Sequence, residues 1–235
     1  MRIATIRLPV AATVSLAAIT IGLAPMPQAR ADMSAWHGDT RAAMRVVAGG
    51  TKVADGASAL RAGVEIRLAP GWKTYWRYPG DSGVPPHFDF DKSENLKSVQ
   101  VAWPAPQRFT DADGSFIGYR DNVLFPLSIE PRDAGKPVVL RLTLDYAICE
   151  KVCIPVQARG ELTIKGGANA DSIIAKAEQA VPRAQPLGAD AKLSVKAVHR
   201  DNGAKPARVL VDIAAPDGSP VAVFAEGPTA DWALP

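Results

Sequence analysis

The sequence predicts an all-β fold, a sandwich of two sheets followed by a short helix and a further β unit. Short stretches in which apolar and polar residues alternate recur along the chain, and this period of two is typical of a strand with one buried face. Twenty prolines and nineteen glycines are spread along the chain and leave little room for long helices. Several short strands at this spacing indicate a sandwich.

The first 31 residues predict a secretory signal peptide. Arg2 and Arg7 give a positive start, residues 8–23 are mostly apolar and carry no charge, and small residues lead up to Ala31. An uncleaved membrane anchor is the alternative, but an apolar run of about 16 residues is short beside the roughly 20 that cross a bilayer. We therefore expect cleavage after Ala31 and export to the periplasm.

The charge of the chain argues against two classes of partner. The formal net charge of +3 comes from Arg2, Arg7 and Arg30, because the signal segment contains no acidic residue. Residues 32–235 are therefore neutral overall, whereas nucleic acids and anionic membrane surfaces favour a basic excess. No later segment combines spanning length with a lack of charge. We expect neither a nucleic-acid partner nor a membrane span in the mature protein.

Residues 32–167 are predicted to form the sandwich. Alternation predicts strands at 64–68, 99–103, 123–129, 140–148 and 154–164. The clearest of these runs begins at Leu140, where every second residue up to Ile148 is apolar. Gly166 and Gly167 follow the last run and close the unit.

Residues 168–190 predict a short helix and a linker. The helix is expected at 171–180, with Asp171 as its N-cap and Pro182 just after its end. Three further strands are predicted at 193–199, 208–213 and 221–225. Because a sandwich usually takes about seven strands, residues 191–235 are predicted to begin a second β domain that is incomplete within this sequence.

The two cysteines, Cys149 and Cys153, are separated by three residues. In an exported chain one pair would ordinarily form a structural disulfide. In one straight strand their Cα atoms would lie about 13 Å apart, but a disulfide needs less than about 7 Å. The segment must therefore turn if the thiols are to bond. The simplest solution is a hairpin with residues 150–152 as its loop and an accessible disulfide at its tip.

The small ring favours redox exchange over a structural role. A ring of about five residues stabilises a fold by only roughly 2 kcal/mol, against about 4.7 for a hundred-residue loop, and strained, exposed disulfides are the labile ones. The alternative is a non-enzymatic binding module with a structural disulfide, or with a cysteine pair that holds Cu(I). His37, His87 and His199 are scattered and lack ligand spacing to the cysteines, so zinc is not expected.

Several segments together resemble the N-terminal periplasmic domain of DsbD, and more closely the related ScsB-type proteins. The segments are Gly71–Trp76, Gly80–Pro86, Phe109–Asp121, Asp145–Pro155 and Glu226–Pro228. The resemblance implies an immunoglobulin-like sandwich whose cysteine pair works as a thiol:disulfide interchange site, with no cofactor. Electrons would come from a membrane-embedded domain and pass to thioredoxin-like periplasmic proteins. Cys153 would attack the partner disulfide, and Cys149 would resolve the mixed disulfide.

The same resemblance implies supporting residues around the cysteines. Tyr75 matches an aromatic residue beside the pair, and the segment from Phe109 to Tyr119 matches a cap loop that shields it. Either Phe109 or Phe116 could be the cap phenylalanine. Alternation along residues 72–76 places Tyr75 on the opposite face from both tryptophans, so these aromatic residues cannot all line the site.

Overall fold

A computed structural model describes residues 32–54, 57–80, 83–111, 114–167, 170–205 and 208–227. The predicted signal peptide, residues 1–31, lies outside these ranges. The elements are β1 (His37–Gly38), β2 (Ala42–Ala54), β3 (Ala57–Leu68), β4 (Lys73–Tyr75), β5 (His87–Asp89), β6 (Leu96–Val101), β7 (Gln107–Asp111), β8 (Gly114–Arg120), β9 (Asn122–Pro131), β10 (Val138–Cys149), β11 (Cys153–Ile164), α1 (Asp171–Gln179), β12 (Ser194–Asp201) and β13 (Arg208–Ala214). The predicted all-β class is confirmed.

Two antiparallel sheets make the sandwich. The first has the strand order β1-β2-β3-β9-β6, and the second has the order β11-β10-β4-β8-β7, with β5 also pairing with β10. Strands β12 and β13 form a separate two-stranded sheet. The prediction of an immunoglobulin-like sandwich, followed by a helix and a smaller β unit, is confirmed.

The core lies between the two sheets, where the apolar positions of their alternating strands meet. Met44 and Ile66 from the first sheet and Leu140 and Leu144 from the second are completely buried. Phe125 is also fully buried, and three aromatic rings pack edge-on against it, those of Phe88, Trp103 and Tyr119. The alternation seen in the sequence therefore reports the buried face of each strand.

Pro126 lies within β9, a strand that has neighbours on both sides. Proline has no N–H to donate, so it is tolerated where the facing strand needs none. Strand β6 ends at Val101, opposite Leu127, and the Pro126 carbonyl accepts a hydrogen bond from the Ala102 amide just beyond that end. The missing donor therefore costs the sheet no ladder hydrogen bond.

The predicted helix is confirmed, but its predicted N-cap is wrong. Ala170 occupies the N-cap position, without a side-chain cap, and Asp171 is the first helical residue. The Asp171 carboxylate instead accepts hydrogen bonds from the Gly50 amide and from Arg61, both at 2.7 Å. Arg61 also binds Glu178 at the other end of α1. The side chain that the sequence assigns to capping therefore fastens the helix to the first sheet.

Two of the three strands predicted after the linker are confirmed, as β12 and β13. The third, at 221–225, is wrong, because this segment contains no strand. Its Phe224 ring packs edge-on against Trp76, 5.9 Å between centroids, and Glu226 binds Arg77 at 2.7 Å. Contacts with the sandwich thus replace pairing with β13. The division at residues 167 and 190 stays a prediction.

In the described part of the chain, no helix has the length and apolar character needed to cross a bilayer.

Candidate functional site

The two cysteines close a β-hairpin. Strands β10 and β11 pair without interruption from Val138 opposite Ile164 to Cys149 opposite Cys153, and residues 150–152 form the connecting loop. A disulfide joins the cysteines, whose Cα atoms lie 4.2 Å apart. The predicted hairpin is confirmed, and it brings the sulfurs together because the turn falls between them.

The two cysteines differ in accessibility. Cys149 is 5% exposed, whereas Cys153 is exposed and follows a loop whose Val152 is 69% exposed. The difference follows from their strands, since β10 lies between β11 and β4 and β11 lies at the edge of the described sheet. A protein that approaches the hairpin tip therefore meets Cys153 first.

Tyr75 lies directly over the disulfide. Its hydroxyl is 2.8 Å from the Cys149 Sγ and 3.1 Å from the Cys153 Sγ, and its side chain is buried. The preceding residue fixes this strand in place, because the Thr74 hydroxyl donates a hydrogen bond to the Ala147 carbonyl of β10 at 2.9 Å. The alternation along residues 72–76 is as predicted, since Trp76 packs into the core on the opposite face.

Strands β7 and β8 form a hairpin, here called the cap hairpin, that covers Tyr75. The Phe116 ring packs edge-on against Tyr75, 5.4 Å between centroids, and Phe109 stacks on Phe116 at 5.1 Å. The two phenylalanines, here called the ring pair, are directly opposite each other across the hairpin. The sequence left open which of them is the cap phenylalanine; both lie in this hairpin, and the shielding role stays a prediction.

The burial pattern of β10 shows that the strand is covered on its outer face near the disulfide. Along most of the strand every second residue is buried, but Tyr146, Ala147, Ile148 and Cys149 are all buried in succession. Tyr146 and Ile148 face the core, whereas Ala147 and Cys149 pack with Tyr75 and Phe116 on the outer face. The second sheet is therefore covered on both faces at the disulfide end.

Tyr119 does not lie at the disulfide. It projects from the core face of β8, where its hydroxyl donates a hydrogen bond to the Pro104 carbonyl at 2.8 Å and its ring meets Phe125. Burial raises the pKa of the Tyr119 hydroxyl well above its usual range. Period-two alternation explains the separation, because residues 116 and 119 of one strand face opposite sides.

Lys73 is a site residue that the sequence reasoning did not single out. It is opposite Cys149 across the ladder between β4 and β10, and its Nζ lies 5.4 Å from the Phe109 ring centroid and 5.3 Å from the Phe116 centroid. The alternation that puts Tyr75 on this face also puts Lys73 there. Its contact with the cap hairpin could not be read from the sequence, because it joins residues about forty positions apart.

An open groove of about 590 Å³ lies beside Cys153. Its walls are mainly apolar and are formed by Val84, Pro85, Ala147, Pro155 and Val156, with His87, Asp145 and Gln157 also lining it.

The histidines do not gather at the cysteines. His87 lines the groove, His37 lies in β1, and His199 binds Asp212 at 3.0 Å on the separate small sheet. Among the described residues, no group of three or more histidine, cysteine or acidic side chains is arranged to hold a metal ion.

The family described as thiol:disulfide interchange protein DsbD, N-terminal, matches residues 46–165, just over half of the chain. The chain belongs to this family. The match spans the sandwich from β2 to β11 and includes both cysteines, Tyr75 and the cap hairpin, so the site described above lies within the DsbD N-terminal region.

Two solved structures are similar to this DsbD-type chain. The N-terminal periplasmic domain of ScsB from Proteus mirabilis is 27% identical with a TM-score of 0.57, and the match covers 72% of this chain. It covers 64% of the ScsB chain, so the present chain spans less than two thirds of that relative. The reduced DsbD N-terminal domain from Neisseria meningitidis is 18% identical, with a TM-score of 0.28 and coverage of 43% of this chain and 75% of that one. No curated protein sequence matches the chain.

Proposed function

We propose that this chain is a periplasmic thiol–disulfide interchange domain, a protein-disulfide-reductase-like carrier of electrons between proteins. The donor would be a membrane-embedded domain of the DsbD or ScsB type, and the acceptors thioredoxin-like periplasmic proteins. One observation carries the proposal: a disulfide at a hairpin tip pairs an exposed Cys153 with a Cys149 buried under Tyr75 and the ring pair.

The chemistry is two successive exchanges that need no cofactor. In the reduced domain, the Cys153 thiolate attacks one sulfur of the partner disulfide, and the other partner sulfur leaves as a thiolate and takes up a proton. The Cys149 thiolate then attacks the Cys153 Sγ and displaces the partner's remaining sulfur. The partner gains two electrons and two protons as a dithiol, and the Cys149–Cys153 disulfide is formed. The reverse sequence with a donor dithiol reduces the domain again.

The surroundings of the two sulfurs suit this order of events. The attacking sulfur must reach a partner protein, and Cys153 is the exposed member of the pair. The resolving sulfur needs only to reach Cys153, and Cys149 is held opposite it by the ladder between β10 and β11. The Tyr75 hydroxyl lies within hydrogen-bond distance of both sulfurs and donates to whichever carries more negative charge.

Periplasmic location is part of the proposal. The similar ScsB structure is that of an N-terminal periplasmic domain, and residues 1–31 carry the pattern of a secretory signal. An oxidising compartment is also where disulfides form and persist.

The decisive experiment is a redox titration of the whole chain after export. The protein is equilibrated in glutathione buffers of graded potential, and its free thiols are counted by alkylation and mass. A carrier should titrate reversibly at an intermediate potential, whereas a structural disulfide stays oxidised until the potential falls below roughly −300 mV. Resistance across the glutathione range would refute the proposal. Tight stoichiometric Cu(I) uptake by the reduced form, lost in Cys149→Ser, would favour the copper-binding alternative instead.

A further inference from the structure

Among the residues that the structure describes, one cation contacts the ring pair of the cap hairpin. The Lys73 ammonium lies within 5.5 Å of both ring centroids, at 5.4 Å from Phe109 and 5.3 Å from Phe116. A cation near an aromatic face is attracted by the negative charge of that face. No carboxylate in the described ranges lies within ion-pair distance of Lys73, so the two aromatic rings are the groups that interact with its charge.

The rung that joins Phe109 and Phe116 lies past the end of the ladder between β4 and β8. That ladder ends at Gly118, and the last backbone hydrogen bonds beyond it are those of Ile117, whose amide donates to the Pro79 carbonyl and whose carbonyl accepts from the Trp76 amide. Strand β7, which carries Phe109, is at the edge of the described sheet and pairs only with β8. Two side chains of β4 reach the rings, Tyr75 by its ring edge and Lys73 by its ammonium.

Lys73 also stands next to the sulfurs. It is the direct cross-strand neighbour of Cys149, and such neighbours project their side chains on the same face. One residue therefore connects the strand beside the disulfide with the hairpin that covers the disulfide.

We propose that Lys73 is a positioning residue that holds the ring pair over Tyr75 and Cys149 and so limits access to the buried Cys149 sulfur until a partner displaces the cap hairpin. The inference deepens the proposed function and rests on it for its biological purpose. Lys73 acts through the rings of Phe109 and Phe116, and its effect is on how often the Cys149 sulfur is uncovered. A direct effect of the charge on the Cys149 thiolate is the competing explanation.

The test measures alkylation of the Cys149 thiol by N-ethylmaleimide in the whole chain carrying Cys153→Ser, so that the exposed sulfur is absent. The reagent is uncharged, so its approach does not depend on the lysine charge. The Cys149 sulfur adds to the maleimide double bond and the adjacent carbon takes up a proton, so no other reactant is consumed. The rate of alkylation, followed by mass, reports how often the buried sulfur is accessible, and no partner protein is needed.

Lys73→Met keeps the aliphatic stem but removes the cation, and we expect alkylation about two- to five-fold faster, the factor that corresponds to one exposed cation–π contact. Lys73→Arg keeps a cation over the rings and should retain the rate of the Cys153→Ser parent. The matched control is Lys151→Met, which removes the same charge from the exposed loop between the cysteines, where Lys151 touches neither ring. An equal acceleration in Lys151→Met would overturn the proposal.

A variant without the ring pair separates the two explanations. Phe109→Leu with Phe116→Leu keeps apolar bulk but removes both rings, and circular dichroism checks that this variant is folded. If Lys73 acts through the rings, Lys73→Met adds no further acceleration in that background. A direct effect of the charge on the sulfur has the opposite sign, because the cation favours the Cys149 thiolate and its removal should slow the reaction. A slower or unchanged rate in Lys73→Met, or an acceleration that persists without the rings, would therefore refute the inference. The glutathione titration is independent of these rates, so either proposal can fail while the other stands.

Discussion

Cys149 and Cys153 are four positions apart, yet one is buried and the other exposed. Cys149→Ser leaves the exposed thiol free, and it should form a mixed disulfide with a thioredoxin-like protein about tenfold faster than the buried thiol left in Cys153→Ser, because burial limits access. The measurement uses a thioredoxin with its second cysteine changed to serine and its first carrying thionitrobenzoate, whose coloured release is followed. Faster trapping by Cys153→Ser would reverse the two roles.

Because its core contains buried tyrosine hydroxyls, the oxidised protein should lose stability at alkaline pH. Burial, with a smaller contribution from Asp39, raises the pKa of Tyr146 to about 12 from 10.0, and burial raises the pKa of Tyr119 as well. The folded state disfavours the phenolate, so this stability is complete below pH 10, where unfolded tyrosine begins to ionise. It is lost as the pH rises towards 12, at up to about 1.4 kcal/mol per pH unit for one group.

Phenylalanine substitutions check this dependence. The buried Tyr146 hydroxyl has no hydrogen-bond partner in the described part of the chain, so Tyr146→Phe should leave the free energy of unfolding unchanged or higher at pH 7 and flatten its decline above pH 10. Tyr119→Phe also flattens the decline, but it should cost about 1 kcal/mol at pH 7, because it removes the hydrogen bond to Pro104. Urea unfolding across the pH range measures both effects, and an unaltered alkaline slope in Tyr146→Phe would contradict the assignment.

At the scale of single elements, the attachment of α1 to the first sheet depends on a cation of that sheet. Arg61, 14% exposed, binds Asp171 at 2.7 Å and Glu178 at 3.0 Å, near the two ends of the helix. Arg61→Met should lower the free energy of unfolding by about 1–2 kcal/mol, between the values for exposed and buried ion pairs. It should also release the amides of α1 to faster hydrogen exchange before the sheets unfold.

Lys97→Met is the matched control for this prediction. Lys97 binds Glu130 at 2.6 Å, but both side chains are about half exposed or more. Exposed pairs contribute little, so the control should change stability by less than about 0.5 kcal/mol. Equal losses in the two variants, or unchanged exchange of α1 in Arg61→Met, would show that Arg61 does not hold the helix.

The sequence predicted those elements whose signal is local. The alternation in β10 and β11 and the cysteine spacing fall within one short stretch, and together they fix the hairpin and its loop. The same alternation failed at 221–225, because the apolar Phe224 there packs on Trp76 of the sandwich instead of marking a strand. An apolar residue reports burial, but the sequence does not say whether a sheet or a loop provides it.

The site beyond the cysteines needed the tertiary structure. Tyr75 was placed by resemblance, but the ring pair and Lys73 meet only because β4, β8 and β10 are neighbours in one sheet. The register between these strands depends on contacts between distant parts of the chain, which alternation does not encode. Asp171 shows the same limit, since a residue type suited to capping is used for a contact with Gly50 and Arg61.

For the whole molecule, a carrier must remain folded in both redox states. The core is built from both sheets along their whole length, whereas the disulfide joins residues that are already neighbours in a hairpin. Reduction should therefore lower the free energy of unfolding by only about 2 kcal/mol, the value for a ring of about five residues, out of roughly 5–15 for a domain.

Urea unfolding of the oxidised and the reduced protein measures this difference, with Cys149→Ser/Cys153→Ser as a reduced form that cannot reoxidise. Both reduced forms should unfold cooperatively with nearly the slope of the oxidised protein, since the buried surface is the same. A protein that melts when its disulfide is reduced would need that bond for its fold. Such a protein could not cycle between donor and acceptor, because each delivery of electrons to it would unfold it.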